Sequence, residues 1–155
     1  MATSPHMTKS LQPKALVLYA DDDFEDIELV REAFHHYSDT IELLTFANGV
    51  ELLAYLTGID APERHPCLIL LDINMPYING KDVLRTIRKE DRFNEISVIL
   101  FTTSTMPSEI AFAGSHNAGF MTKPLRAQEL HELVDRMVDH CSSDIKDYLR
   151  KQKRG

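Results

Sequence analysis

Short apolar runs alternate along this chain with longer stretches whose apolar residues recur every three or four positions. The runs are Ala15 to Ala20 (A-L-V-L-Y-A), Ile41 to Phe46, Cys67 to Leu71, Ser97 to Phe101 and Gly119 to Thr122. Bounded by turn residues, these read as strands, and the unbroken ones as strands buried on both faces of a parallel sheet. Between them, Asp26 to Tyr37 places Ile27, Val30 and Phe34 on one helical face, and the stretch opening at Asn48-Gly49 does the same with Val50, Leu53 and Leu56. Lys81 to Glu90 gathers Val83, Leu84 and Ile87, Pro107 to Ser115 is a short helix, and Arg126 to His140 aligns Leu130, Leu133, Val134 and Met137. Thr57 to Pro66 is a Gly/Pro-bearing loop, and Met75-Pro76 and Asn79-Gly80 are turn signals.

Strand and helix thus alternate five times. That pattern predicts an α/β fold, a doubly wound parallel sheet with helices on both faces and right-handed crossovers. Five strands suit the flavodoxin-like (βα)5 order 2-1-3-4-5, whose switch point falls between the first and third strands. Composition narrows the class. A chain of 155 residues is one domain by length, with 43% hydrophobic and 26% charged residues. A net charge of -7 argues against nucleic acid as the main partner. No apolar run approaches the roughly 20 residues that span a bilayer, so no membrane contact is expected, and a reducing cytoplasm is the expected compartment. Cys67 and Cys141 lack C-x-x-C spacing, and the histidines read as surface or packing residues. Residues 1–13 read as a leader, partly cloning-derived, with a native start at Met7; 14–140 form the domain, and 141–155 a helical extension with a basic tail.

The chemistry collects at strand ends. Asp72 follows Cys67 to Leu71 directly, at the carboxyl end of a central strand, where open α/β sheets place their sites. The first strand ends in Asp21-Asp22-Asp23, and six of the eight residues from Asp21 to Glu28 are acidic. Capping and the helix dipole account for Asp23, Glu25 and Asp26. Asp21 and Asp22 come earlier and face the same crevice as Asp72. Three carboxylates in one cleft require a cation or a retained proton, and all-oxygen ligands suit Mg²⁺. The fourth strand ends in Thr102-Thr103-Ser104 and the fifth in Lys123-Pro124, bringing a hydroxyl and an ammonium to the same edge. A carboxylate, a metal, a hydroxyl and a cation can together hold a phosphoryl group on an aspartate. Lys123 also serves as the counter-charge that lets the acids coexist.

From about Lys14 to His140 the chain resembles the receiver domains of two-component response regulators. The resemblance rests on A-D-D-D at the first strand, L-L-D-I-N-M-P-x-x-N-G at the third, F-T-T-S at the fourth and T-K-P at the fifth. Thr102 lies thirty residues after Asp72, and Lys123 twenty-one after Thr102. The resemblance implies that Asp72 accepts a phosphoryl group from a phosphohistidine on a sensor histidine kinase or phosphotransfer protein. It implies Mg²⁺ held by Asp22, Asp72 and the Asn74 backbone carbonyl, with Asp21 acting largely through water. Asp23 competes with Asp21 for that outer role, since three consecutive acids leave the register open by one. Thr102 would bond the phosphoryl group and Lys123 would pair with it, and the Lys123-Pro124 peptide is commonly cis in the family. Thr103 stands where a smaller residue is usual. Phe120 takes the place of the aromatic that swings with the threonine, with core packing as its other reading.

Too little chain follows Lys123 for a DNA-binding effector domain, so the signal is expected to leave through a surface, to a downstream protein partner. Ile145, Tyr148 and Leu149 extend past Cys141 on one side and either pack back on the domain or offer a partner or homodimer contact; the basic end is read as a solvated tail. The insertion before the third strand and the T-T-S-T motif look like stand-alone receivers partnered with phytochrome-type or other sensor kinases. Two other classes compete with this non-enzymatic switch. A degenerate receiver, binding partners without phosphorylation, is opposed by the intact set of acids, threonine and lysine. A dehalogenase-type hydrolase matches Asp21-x-Asp23 but needs a cap domain for which there is no room. An EF-hand fails for want of a Gly at the sixth loop position.

Overall fold

The computed structural model describes residues 14–138. The leader and the extension with Cys141, Ile145, Tyr148 and Leu149 lie outside them. The elements are β1 (Ala15–Ala20), α1 (Phe24–Phe34), β2 (Ile41–Phe46), α2 (Gly49–Thr57), β3 (Leu68–Leu71), α3 (Gly80–Lys89), β4 (Ser97–Thr102), α4 (Pro107–Ser115), β5 (Gly119–Thr122) and α5 (Ala127–Val138). The strands form one parallel sheet in the order β2-β1-β3-β4-β5, as the alternation predicts. Among the described residues, no helix is long and apolar enough to cross a membrane.

Alternation along each strand builds two cores. Val17 and Tyr19 of β1, with Leu68 and Leu70 of β3, face Ile27, Val30, Ala33 and Phe34 of α1 and Leu130, Val134, Met137 and Val138 of α5. Leu18 and Ala20, with Ile69 and Leu71, face Leu52 and Leu56 of α2, Val83, Leu84 and Ile87 of α3 and Ala113 of α4. The four residues of β3 are 0% exposed, which is why its sequence is apolar without a break. Each such side chain contributes about 1.5–3 kcal/mol by leaving water.

Local chemistry sets the boundaries that periodicity leaves loose. Asp23 caps α1 by accepting from the Glu25 and Asp26 amides, so the helix starts at Phe24 rather than Asp26. It ends at Phe34, and His35–Tyr37 tighten into a 3-10 turn. Asn48 caps α2 through the Glu51 amide, and that start turns Gly49, Leu52 and Leu56 inward, leaving Val50 at 49% exposure instead of in the core. Cys67 precedes β3, though its N–H still donates to the Leu16 carbonyl at 2.9 Å.

Candidate functional site

Register brings the acids together. Ala20 pairs with Leu71, so the residues that follow them, Asp21 and Asp72, leave adjacent strand ends. Ladder bonds continue into the site: Asp72 N–H donates to the Ala20 carbonyl at 3.0 Å, Asp21 N–H to Phe46 at 3.0 Å, and Lys123 N–H to Thr102 at 2.7 Å. The backbone at each of these three positions is therefore fixed by the sheet rather than by a loop. A Cβ at Gly80 would lie 2.2 Å from the Asp72 carbonyl oxygen, so only glycine lets α3, capped by Asn79, start this close to Asp72.

Asp21 is 0% exposed and Asp72 7% exposed, while Asp22 faces solvent. Oxygens of the three carboxylates lie within 4.8 Å of one another. Lys123 Nζ donates to Asp21 Oδ2 at 2.6 Å and Asp26 Oδ2 at 2.8 Å, and stands 3.5 Å from Asp72 Oδ2. Asp72 Oδ1 accepts from the Ile73 amide at 2.9 Å. Burial, and next the charge of Asp21, push the Asp72 carboxyl up to about 7, against the pull of Lys123. Burial works to lower the Lys123 ammonium, but its bonds to Asp21 and Asp26 outweigh that and raise it. One lysine facing these carboxylates leaves negative charge in excess, and hard oxygen donors with one solvent-facing side fit a divalent cation such as Mg²⁺.

Thr102 ends β4 at 0% exposure, with Oγ1 accepting from the Ser104 amide at 3.3 Å. Thr103 is exposed, and the exposed Asn74 follows Asp72 in the loop before α3. Phe120 is half-buried against the core beneath α2, α3 and α4. No peptide bond among the described residues is cis, so the Lys123-Pro124 bond is trans, the isomer X–Pro bonds favour by about 0.5–1 kcal/mol. Of the three consecutive acids, Asp23 caps α1, while the carboxylates of Asp21 and Asp22 lie beside that of Asp72.

Two residues of the network escaped the sequence reading. Asp26, assigned to the helix dipole, reaches Lys123 from the first turn of α1. Tyr19, an apolar-run residue, donates its hydroxyl to Asp21 Oδ2 at 2.6 Å. The available signals were an acid one helical turn past the strand end and a phenol two residues before an acid, on the same face of the strand.

The family described as the response regulator receiver domain matches residues 17–135. The response regulator Rcp1 of Synechocystis sp. is 29% identical over 131 residues, which cover 83% of this chain and 89% of Rcp1. Among solved structures, the phosphorylated cyanobacterial phytochrome response regulator RcpA superposes with a TM-score of 0.75 at 26% identity, covering 85% of this chain and 96% of RcpA. The Mn(2+)-bound form of Rcp1 gives 0.69 at 28% identity, covering 79% and 89% respectively.

Proposed function

Since the chain belongs to the receiver-domain family of response regulators, we propose that it is a two-component signalling switch phosphorylated on Asp72. The observation that carries this reading is the placing of Asp72, buried at a central strand end, with Asp21 and Asp22 oxygens within 4.8 Å and Lys123 Nζ at 3.5 Å. Likeness to a metal-bound and to a phosphorylated relative supports it.

Asp22, Asp72 and the Asn74 carbonyl would hold Mg²⁺, with Asp21 contacting it through water; when bound, the ion neutralises charge on the phosphoryl oxygens. An Asp72 carboxylate oxygen attacks the phosphorus of a phosphohistidine on a sensor kinase or phosphotransfer protein. The P–O bond forms as the P–N bond breaks, and the imidazole leaves with the electron pair. Lys123 Nζ is one short movement from that oxygen, and Thr102 Oγ1 can donate to the new phosphoryl group. Those two shifts, with Phe120 beside β4, would alter the surface around β4, α4 and β5 that meets a downstream protein in the cytoplasm.

Incubation of the full chain with acetyl phosphate and Mg²⁺, read by intact mass beside Asp72→Asn, tests this. One added phosphoryl group, dependent on Mg²⁺ and absent from the variant, is expected. A wild-type chain that binds Mg²⁺ but gains no mass would point to a receiver that works without phosphorylation.

A further inference from the structure

Tyr19 stands outside the acids at the strand ends and yet is bonded to them. It is 0% exposed, in the core between the sheet and α1 and α5. Its ring meets Phe101 edge-on, with centroids 6.2 Å apart, and its hydroxyl reaches Asp21 Oδ2 at 2.6 Å. A phenylalanine would fill the same space, so packing alone leaves the hydroxyl unexplained.

Among the described residues, Asp21 accepts hydrogen bonds from three protein donors. Tyr19 and Lys123 share Oδ2, and the Asp23 amide takes Oδ1 at 2.9 Å. Of the three donors, the amide belongs to the backbone and the phenol to a ring wedged in the core. Only the lysine sits on a flexible stem. If Lys123 turns from Asp21 to a phosphoryl group on Asp72, Asp21 Oδ2 gives up a charged donor while it stays out of water. A buried carboxylate left short of donors is costly. The Tyr19 hydroxyl cannot follow the lysine, because its ring is fixed, and it remains on the oxygen that the lysine leaves.

We propose that Tyr19 is a positioning residue of this switch, its buried hydroxyl keeping Asp21 Oδ2 hydrogen-bonded while Lys123 moves to the phosphoryl group. This rests on the reading of Asp72 as the phosphoacceptor. Without the hydroxyl, Asp21 depends on Lys123 more heavily and the phosphoryl group competes for the lysine less well. The cost falls on phosphoryl binding rather than on the metal, since Tyr19 reaches the acid on its core side, away from the solvent-facing Asp22.

Tyr19→Phe keeps the ring against Phe101, and a thermal melt verifies that the variant is folded. Calorimetric titration of the full chain with beryllofluoride, a phosphoryl mimic, at saturating Mg²⁺ is compared with titration by Mg²⁺ alone. We expect Tyr19→Phe to weaken beryllofluoride binding roughly tenfold, the worth of one hydrogen bond to a charged group, and by more than it changes Mg²⁺ binding. Unchanged beryllofluoride affinity overturns the proposal. So do equal losses for beryllofluoride and Mg²⁺, which mean a loosened site and no part in the handover. A wild-type chain that binds Mg²⁺ but no beryllofluoride sinks the phosphorylation reading, and the role of Tyr19 with it.

Discussion

Lys123 at the carboxyl edge of the sheet and Arg88 at its amino edge are both drawn partly out of water, but by partners of different kinds. Lys123 meets carboxylates, with Asp21 at 2.6 Å, Asp26 at 2.8 Å and Asp72 at 3.5 Å. Arg88, in the last turn of α3, spreads its guanidinium over backbone carbonyls: His116 at 2.9 Å, Asn117 at 3.1 Å, Phe93 at 3.3 Å and Asn94 at 3.4 Å. Burial pushes Arg88 down, against the charge of Glu95, whereas its carboxylate bonds leave Lys123 raised. Carbonyls are neutral and fixed, so Arg88 is a clamp that ties the end of α4 to the turn before β4. Carboxylates change charge, take up metal and can exchange the lysine for another cation. The two partly buried cations thus differ in whether their partners can change charge, and only those of Lys123 can.

The largest test of that contrast is Lys123→Ala. Removing one partner from a buried ion pair costs about 3–5 kcal/mol, and here the acids left behind also repel each other. Urea unfolding at pH 8 without divalent ions should show that loss, and saturating Mg²⁺ should restore part of it. Arg88→Ala should cost about 2 kcal/mol through the loss of its charged hydrogen bonds to those carbonyls, and Mg²⁺ should restore none of it. Equal recovery of both variants by Mg²⁺ would erase the distinction.

A smaller effect follows from Asp72. Its carboxyl titrates near 7 in the folded chain against 3.8 for the free side chain. Between those values the folded chain keeps a proton that the unfolded chain has lost, so stability falls as pH rises from about 4 to about 7 and levels off above. Cation and proton compete for the same oxygens, so Mg²⁺ affinity should climb across the upper part of that window. Asp72→Asn should flatten the stability slope. A wild-type Mg²⁺ affinity constant between about pH 5 and pH 8 would show that Asp72 is already ionised at the lower end.

Strand identity and order were legible because β1, β3 and β4 are built on unbroken apolar runs, β2 and β5 are short apolar-rich segments between turn residues, and each crossover is a helix; the acids, threonine and lysine fall at strand ends by residue spacing alone. What stayed hidden depends on rotation and reach. Val50 and Leu52 both fit an apolar stripe, and only the cap at Asn48 decides which one turns inward. Asp23 and Asp21 are the same residue type two positions apart, and only the amides of Glu25 and Asp26 claim Asp23. Asp26 and Tyr19 join the site through contacts with Lys123 and Asp21, residues whose neighbours the one-dimensional pattern does not specify.

The glycines on α3 and α4 sharpen the comparison at its smallest scale. At Gly80 an added methyl would sit 2.2 Å from the Asp72 carbonyl oxygen, whereas at Gly114, in the last turn of α4, it would meet nothing within 4 Å. Gly114 is exposed and its φ is not positive, so alanine fits its backbone. Gly114→Ala should therefore raise stability by about 0.5–1 kcal/mol, mainly by restricting the unfolded chain. Urea unfolding would read the gain. It should leave Mg²⁺ affinity and phosphorylation by acetyl phosphate untouched, because Gly114 lies at the amino edge of the sheet, next to the His116 and Asn117 carbonyls that the clamp at Arg88 holds. If this addition at the amino edge changed the phosphorylation rate, the clamp would be coupled to the site, and the division between a fixed end and a switching end would fail.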